Sequence, residues 1–377
     1  MKKRVVLGLS GGVDSSVAAV LLKEQGYEVI GLFMRNWDST TNNDVLGNPD
    51  IDDDVCPQEK DYQDALAVAN KIGIELHRVD FIEEYWENVF EYFLNEYKKG
   101  RTPNPDIMCN KYIKFDAFIK HAEQFDYDYI AMGHYARTVT KDGVVKMLRG
   151  VDSNKDQTYF LSQLTKEQLE KTLFPVGELT KQEVRDIAIK YDLATATKKD
   201  STGICFIGER DFNKFLSNYL PNQDGSMVTL DGKVLSKHHG LMYYTIGQRK
   251  GLGIGGSNDY SNEPWFVIGK DLEKNELIIG QGFHHETLYS DSCLVEDVNL
   301  LNVEKFSGEL KVSAKFRYRQ ADNDCYISFK DDNLFVRFEK DIRAVTPGQA
   351  AVFYLGDECI GGGFIKEAYK DNKKRKY

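Results

Sequence analysis

Two groups of residues in this 377-residue chain could do chemistry. The first is the turn Gly8-Leu9-Ser10-Gly11-Gly12-Val13-Asp14-Ser15, set between the apolar runs 5–7 and 17–22, which reads as strand, glycine turn and helix. Glycines let the backbone approach a ligand, and the unpaired N–H groups of a first helical turn, with the Ser15 and Ser16 hydroxyls, form a cradle for phosphate or pyrophosphate. The turn lacks the lysine of G-x-x-x-x-G-K-[ST] and so is ill suited to gripping a γ-phosphate. The second group is Cys109 and Cys205. Cys109 closes the two-proline loop 100–110, with Asp106 three residues before it and a helix expected from near Lys111. At such a helix start the dipole and the lysines at 111 and 114 would favour a thiolate. Cys205 lies in the basic, glycine-bounded stretch 198–208 and also reads as a reactive thiol. For each cysteine the alternative is a buried small hydrophobe.

The elements that must position these groups follow from periodicity. Residues 27–34 form a mostly apolar second strand and complete a β-α-β unit. Its end puts Met34 at the ligand edge of the sheet, where an adenine could rest, although a core methionine fits the same spacing. Helical spacing over 62–71, a strand over 74–79 and an aromatic helix over 85–97 continue the pattern, the aromatic stripe being read as core. A strand over 129–132 leads to Gly133-His134-Tyr135, again at the ligand edge. Lys155-Asp156-Gln157 precedes an apolar helix, and Thr180 to Glu183 is a capping box for a helix ending near 192. Past residue 220 short strands and glycine turns take over: hairpins around Asp231-Gly232 and over 265–279, a basic glycine-rich loop over 247–256, and an all-β unit from about 286. Strand alternation over 314–320 places Lys315, Arg317 and Arg319 on one face and Phe316 and Tyr318 on the other, either an RNA-facing strand or a plain exposed sheet face.

The fold class is therefore α/β: a doubly wound, mostly parallel sheet over 1–215, a small β-rich central domain over 216–285, a β-barrel-like domain over 286–369, and a basic, disordered tail over 370–377. The polar, acidic stretch 42–54 is expected to be a mobile, solvated loop. It carries one cysteine, with no histidine or second cysteine at ligand spacing, so no structural metal is expected there. Hydrophobic residues make up 41% and charged residues 29%, with no apolar segment of signal-peptide or membrane type, so a cytoplasmic globular protein is expected. The six cysteines are widely spread without a C-x-x-C pair, which argues against a disulfide framework. A net charge of −10 argues against bulk electrostatic binding of nucleic acid, but local clusters of lysine and arginine keep RNA binding open.

The turn Ser10-Gly11-Gly12-Val13-Asp14-Ser15 has the pattern of the ATP pyrophosphatase loop, which holds the leaving pyrophosphate while an α-phosphate is attacked. With Asn104-Pro105-Asp106 ahead of Cys109, Gly133-His134-Tyr135, Lys155-Asp156-Gln157, Ser201-Thr202-Gly203-Ile204-Cys205 and Thr346-Pro347-Gly348-Gln349, nearly the whole chain resembles the bacterial tRNA-specific 2-thiouridylases. The resemblance implies an adenine nucleotide hydrolase-like fold and transfer of sulfur to C2 of the wobble uridine of glutamate, glutamine and lysine tRNAs, with release of AMP and pyrophosphate. It assigns ATP, with Mg²⁺, to Gly8, Leu9, Ser10, Gly11, Gly12, Val13, Asp14, Ser15, Met34 and Gly133. Cys205 would carry a persulfide received from a cysteine desulfurase or a sulfur-relay protein, Cys109 would act as nucleophile, and Asp106 as general acid/base. A Cys109–Cys205 disulfide would form in the cycle. Asn104, Pro105 and Asp106 would meet the target base, and His134, Lys155, Asp156, Gln157, Arg317, Tyr318 and Gln349 the tRNA. Other readings are an adenylating enzyme that delivers nitrogen and a nucleotide-sensing RNA-binding module without catalysis.

Overall fold

Val5, Val6 and Leu7 are fully buried, and their strand is the centre on which the first sheet is built. The computed structural model describes residues 2–50, 56–200, 203–205, 207–254 and 261–376; Asp52-Asp53-Asp54-Val55, Ser201, Thr202, Phe206 and Gly255-Gly256 lie outside the described residues. Strand β1 (Arg4–Gly8) pairs in parallel with β2 (Glu28–Arg35), and β2 with β3 (Glu75–Asp80). On its other side β1 pairs in parallel with β4 (Tyr129–Ala131). An antiparallel hairpin, β5 (Ala136–Lys141) and β6 (Val144–Arg149), intervenes before β7 (Thr172–Leu173) completes the order β3-β2-β1-β4-β7. A strand buried on both faces must be apolar throughout, which is why β1 reads as a continuous run rather than an alternation. Helix α1 (Val13–Glu24) packs on this sheet through Val17, Ala18, Val20 and Leu22, and α2 (Pro57–Ile72) through Ala65, Val68 and Ala69. Successive connections leave β1 on opposite sides, so the crevice beyond the carboxyl ends of β1 and β4 is the switch point where such sheets bind ligands.

Two compact units share the chain in alternating segments: Met1–Glu91, Pro105–Asn218 and Gly356–Gly361 form the first, and Tyr92–Asn104, Tyr219–Leu355 and Gly362–Tyr377 the second. The second unit contains a four-stranded sheet, β8 (Gly225–Val228), β9 (Val234–His238), β10 (Trp265–Asp271) and β11 (Glu276–Gln281), in the order β10-β11-β8-β9. Its barrel uses β12 (Tyr289–Leu300), β13 (Leu310–Lys315), β14 (Asn323–Lys330), β15 (Asn333–Arg343), β16 (Ala350–Leu355) and β17 (Glu358–Lys370). Their order is β12-β15-β14-β13-β16-β17, and pairing of β12 with β17 closes the ring. Closure leaves the barrel no edge strand. The opening residues of β17 serve the first unit, where Glu358 and Cys359 pair with Leu148 and Met147 of β6.

Three sequence expectations are corrected here. The described part of the tail is ordered: Lys373–Lys374 pairs with Tyr369 and Lys370, and the Arg375 guanidinium donates to the carbonyls of Tyr289 and Glu286. The described part of the acidic stretch is folded rather than solvated. Asp44 is fully buried and accepts hydrogen bonds from Trp37 Nε1 at 3.0 Å and from Arg210 Nη2 at 2.9 Å, while Asn48 Nδ2 donates to the Asp44 carbonyl. A buried charge needs such a partner, and Arg210 lies 166 positions away in sequence, out of reach of local reading. The alternation over 314–320 stops at Lys315, where β13 ends; the next residues turn, Phe316 is buried, and Arg317 Nη2 is held by Ile246 O, Ala344 O and Thr346 Oγ1.

Candidate active site: a phosphate cradle and a thiol pair

Gly8 ends β1 where Met34, from the end of β2, and Met132, just past β4, close over it. A Cβ at Gly8 would stand 2.7 Å from Met132 Sδ and 3.5 Å from Met34 Cε, so any side chain would fill the crevice. A Cβ at Gly133 would stand 2.8 Å from the Ser15 amide nitrogen, so a side chain there would obstruct the first turn of α1. Gly11 has φ +74°, and a Cβ there would collide with the Asp61 carbonyl at 2.0 Å. Only glycine serves at that position. The turn is fixed from within: Ser15 Oγ donates to the Gly12 carbonyl at 3.1 Å and accepts from the Ser10 amide at 3.2 Å, and Ser16 Oγ donates to the same carbonyl at 2.8 Å. Gly12 caps α1 with no side chain of its own, which leaves the first amides of the helix to an anion. Of the residues expected to hold ATP, Gly8 meets Met34 and Met132 and Gly133 meets the first turn of α1, whereas Leu9 and Val13 are buried in the core.

Cations gather beside the cradle in a way that local sequence did not reveal. Lys181 Nζ lies 2.7 Å from Asp14 Oδ1 and 2.8 Å from Asp200 Oδ1, and Asp200 also holds Lys155 at 2.6 Å and Arg185 at 2.8 Å. Burial pushes the Asp200 carboxyl up, but hydrogen bonds from Lys155 and Lys181 outweigh it and hold the pKa down at about 2. Lys198 Nζ donates to the Gly11 carbonyl at 2.9 Å and pairs with Asp61 at 2.7 Å. Tyr135 donates its hydroxyl to Asp14 at 2.7 Å. The only signal for Lys181 and Arg185 was their place in the capped helix Lys181–Lys190, whose buried face is Val184 and Ala188.

The two cysteines, 96 positions apart, meet with their sulfurs 3.3 Å apart. Cys205 sits in a tight loop closed by Gly208 N–H donating to Ile204 O at 2.8 Å, and flanked by Gly203 and Gly208 at φ +91° and +86°. Asp106 Oδ1 accepts from the Cys205 amide at 3.1 Å, and Tyr85 donates its hydroxyl to the Cys205 carbonyl at 2.7 Å. Tyr85 was read as core; it is fully buried and also fastens the thiol loop. Burial pushes the Asp106 carboxyl up, which suits a group that exchanges protons.

The expectation for Cys109 is revised in two respects. The helix begins at Pro105, not near Lys111, and Cys109 opens a π-helical stretch, Cys109–Ala117, within it. Cys109 is fully buried, and that burial, together with the hydrogen bond it donates to Cys205, raises its thiol well above the ordinary value instead of lowering it. Cys205 is the lowered thiol: accepting that hydrogen bond pulls it down, burial opposes, and Lys114 adds to the pull. Lys111 turns away, its Nζ on Gln163 at 3.3 Å.

The remaining candidate residues divide between the units. In the first unit, His134 is buried at 7% exposure against Phe115 and Phe174, and its Nδ1 has no partner among the described residues. Burial, then Lys114, pushes this imidazole well below its usual range, so it is neutral. Lys155 lies by the cradle, whereas Asp156 accepts from Thr158 Oγ1 at 2.9 Å and Gln157 Oε1 from the Tyr135 amide at 2.9 Å, both inside the fold. Pro105 opens the helix that carries Asp106 and Cys109. Asn104, Arg317, Tyr318 and Gln349 belong to the second unit. There Gln349 Nε2 donates to the Thr102 carbonyl at 2.8 Å and Thr102 N–H to the Pro347 carbonyl at 3.0 Å, so the 346–349 turn grips the segment that ends in Asn104.

A family model described as a tRNA methyl transferase HUP domain matches residues 3–209. Models described as a tRNA methyl transferase PRC-barrel domain and an aminomethyltransferase beta-barrel domain match residues 213–281 and 290–365. Curated relatives are named tRNA-specific 2-thiouridylase MnmA. The one from Acholeplasma laidlawii is 59% identical, covering 100% of both chains. That from Bacillus cytotoxicus is 57% identical over 99% of this chain and 97% of its own. That from Lactococcus lactis subsp. cremoris is 58% identical, with the same coverage.

Proposed function

The chain belongs to the tRNA-specific 2-thiouridylase family, and from that membership we propose that it replaces the C2 oxygen of the wobble uridine in glutamate, glutamine and lysine tRNAs with sulfur, at the expense of ATP. The observation that carries the reading is the pairing of a phosphate cradle whose own turn has no lysine with two thiols 3.3 Å apart in one unit. A carbonyl oxygen is a poor leaving group. Adenylation makes it a good one, with pyrophosphate leaving into the first-turn amides of α1 and the charge of Lys181 and Lys155 close by. Where ATP carries Mg²⁺, the Asp14 carboxylate is the oxygen donor of fitting chemistry, and the ion would neutralise phosphate charge. Cys205 takes up sulfur as a persulfide from a cysteine desulfurase or relay protein. Sulfur then reaches C2 from that persulfide directly or as hydrosulfide released by Cys109, AMP departs, and the two cysteines are left as a disulfide. Asp106, with its carboxyl pushed up, exchanges the protons of the base, and neutral His134 offers Nδ1 to the substrate. The uridine must leave its stack to enter. Asn104, Pro105, Arg317, Tyr318 and Gln349 are assigned to tRNA on the same reading, and the site of action is the cytoplasm.

The test is to incubate the protein with ATP, Mg²⁺, a sulfide source and unmodified glutamate tRNA, and to weigh the wobble nucleoside. A gain of about 16 mass units, sulfur for oxygen, establishes the reaction. Pyrophosphate release without that gain transfers the reading to nitrogen delivery, and neither product from folded, ATP-bound protein points to a binding module. With a persulfide donor in place of sulfide, Cys109→Ser and Cys205→Ser are each expected to lower thiolation by about a thousandfold or more, because removing one member of a paired nucleophilic system removes nearly all its effect. Normal thiolation by both variants would sink the proposal.

A further inference from the structure

The phosphate cradle has a conformational choice built into it. Gly11 is at φ +74°, and Gly12 at φ −94° and ψ 160°. The peptide that joins them is planar, so its carbonyl and the Gly12 N–H point in opposite directions. Turning that peptide over would carry the Gly12 φ into the positive region, which glycine tolerates as readily as the negative one. In one orientation the peptide presents an N–H to an anion, and in the other an oxygen whose partial negative charge repels phosphate. Two adjacent glycines let a ligand approach, but by themselves they do not settle which group it meets.

Lys198 grips this peptide from outside the turn. Its ammonium donates to the Gly11 carbonyl at 2.9 Å. The ammonium is itself fixed by Asp61 at 2.7 Å and by Asp64, which stand three residues apart on one face of α2. The same helix closes on the turn at this point, since a Cβ at Gly11 would lie 2.0 Å from the Asp61 carbonyl. The Gly11 oxygen is therefore held on the α2 side. Burial lowers the Lys198 ammonium, but hydrogen bonds to Asp61 and Asp64 more than compensate, so it stays charged. A charged donor makes one of the stronger hydrogen bonds a carbonyl can accept. The segment that carries Lys198 reaches the turn a second time through Asp200, which holds Lys181 where Lys181 meets Asp14.

Resting on the nucleotide half of the proposed function, we propose that Lys198 is a positioning residue for ATP: its ammonium holds the Gly11 carbonyl towards α2, so that the Gly12 N–H, and not that oxygen, is presented to the phosphates. Lys198 makes and breaks no bond of the reaction; it acts through the peptide it grips. The turn has no lysine of its own, and this one serves it from behind, by orienting a backbone dipole instead of meeting the phosphate.

The test measures the affinities of inorganic pyrophosphate and of adenosine for the full chain by calorimetry, in wild type, Lys198→Met and Lys198→Arg, and again with Gly12→Ala in each. A Cβ at Gly12 would lie 3.5 Å from Ser10 Oγ, an ordinary contact, and alanine accepts φ −94° but resists a positive φ, so Gly12→Ala locks the peptide in its present orientation. Lys198→Met should weaken pyrophosphate about tenfold or more, the worth of one charge-assisted hydrogen bond, and leave adenosine unchanged, with Lys198→Arg restoring most of the loss. In the Gly12→Ala background the same Lys198→Met change should cost no more than about twofold, because the two substitutions act on one peptide. Unchanged pyrophosphate affinity in Lys198→Met overturns the proposal. So does a tenfold cost that persists with Gly12→Ala, which would make Lys198 a source of positive charge only, and so do equal losses for adenosine and pyrophosphate, which would show a general loosening of the fold. If Lys198→Met fails to fold, Lys198→Gln takes its place under the same expectations. A phosphate-specific loss in a protein that adds no sulfur to tRNA would overturn the sulfur-transfer reading and uphold the role of Lys198.

Discussion

Asp200 shows how far a residue's meaning depends on neighbours that sequence does not announce. It was a charge in a basic stretch; in the structure it joins Lys155, Lys181 and Arg185 beside the cradle. Its pKa of about 2 lies below the ordinary 3.8, so the stability it contributes is present above pH 3.8 and lost as pH falls from there towards 2. Asp200→Asn should therefore lose less stability than wild type between about pH 4 and pH 2 in denaturant titrations; parallel losses would show that the cluster is too solvated to matter. The turn glycines and the two cysteines could be picked out as candidates, because glycine and cysteine act through local backbone and reactivity, and the structure brings Cys109 and Cys205 together. What was not legible was the sign of their electrostatics. Cys109 was expected to be the ready thiolate from its helix and lysines, yet full burial, invisible in a local window, outweighs both.

At the scale of elements, the strands and helices of the first sheet lie close to where periodicity placed them: 27–34 became Glu28–Arg35, and the box at Thr180 and Glu183 caps Lys181–Lys190 as expected. The hairpin of β5 and β6 was passed over although Asp142-Gly143, both at positive φ, stands between two strand-type runs as a turn signal; the π-helical turn had no signal, since it does not change the spacing of apolar residues enough to be read. The Cys205 loop is an element in which geometry is the function. A Cβ at Gly203 would stand 2.2 Å from the Gly208 carbonyl, in a backbone conformation that side chains resist. Gly203→Ala should open this loop and abolish persulfide loading of Cys205 while ATP still binds and the melting temperature moves by only a few degrees, about 1–2 kcal/mol. Normal loading in that variant would mean that the loop tolerates rearrangement and does not set the thiol geometry.

On the scale of the whole molecule, no helix among the described residues is long and apolar enough to cross a membrane, and the chain carries a net charge of −10. An acidic protein that holds tRNA must do so through local cations, each releasing counterions from the phosphates. Affinity for tRNA should accordingly fall at least about tenfold between about 50 and about 200 mM salt, measured by filter binding; a flat profile would assign recognition to shape and base contacts alone. A barrel-like all-β unit was expected from about residue 286, and the pairing of β12 with β17 closes it. The alternation of the two units along the chain was not expected, because pairing between Cys359 and Met147 leaves no trace in either segment. That interleaving bears on how the protein is made. A ribosome delivers residues 1–218 long before Glu358 and Cys359, so throughout that interval the β6 edge that will accept them waits with unpaired backbone groups. The segment Tyr92–Asn104 likewise waits for the 346–349 turn. Neither unit can make its last contacts until nearly the whole chain has been synthesised.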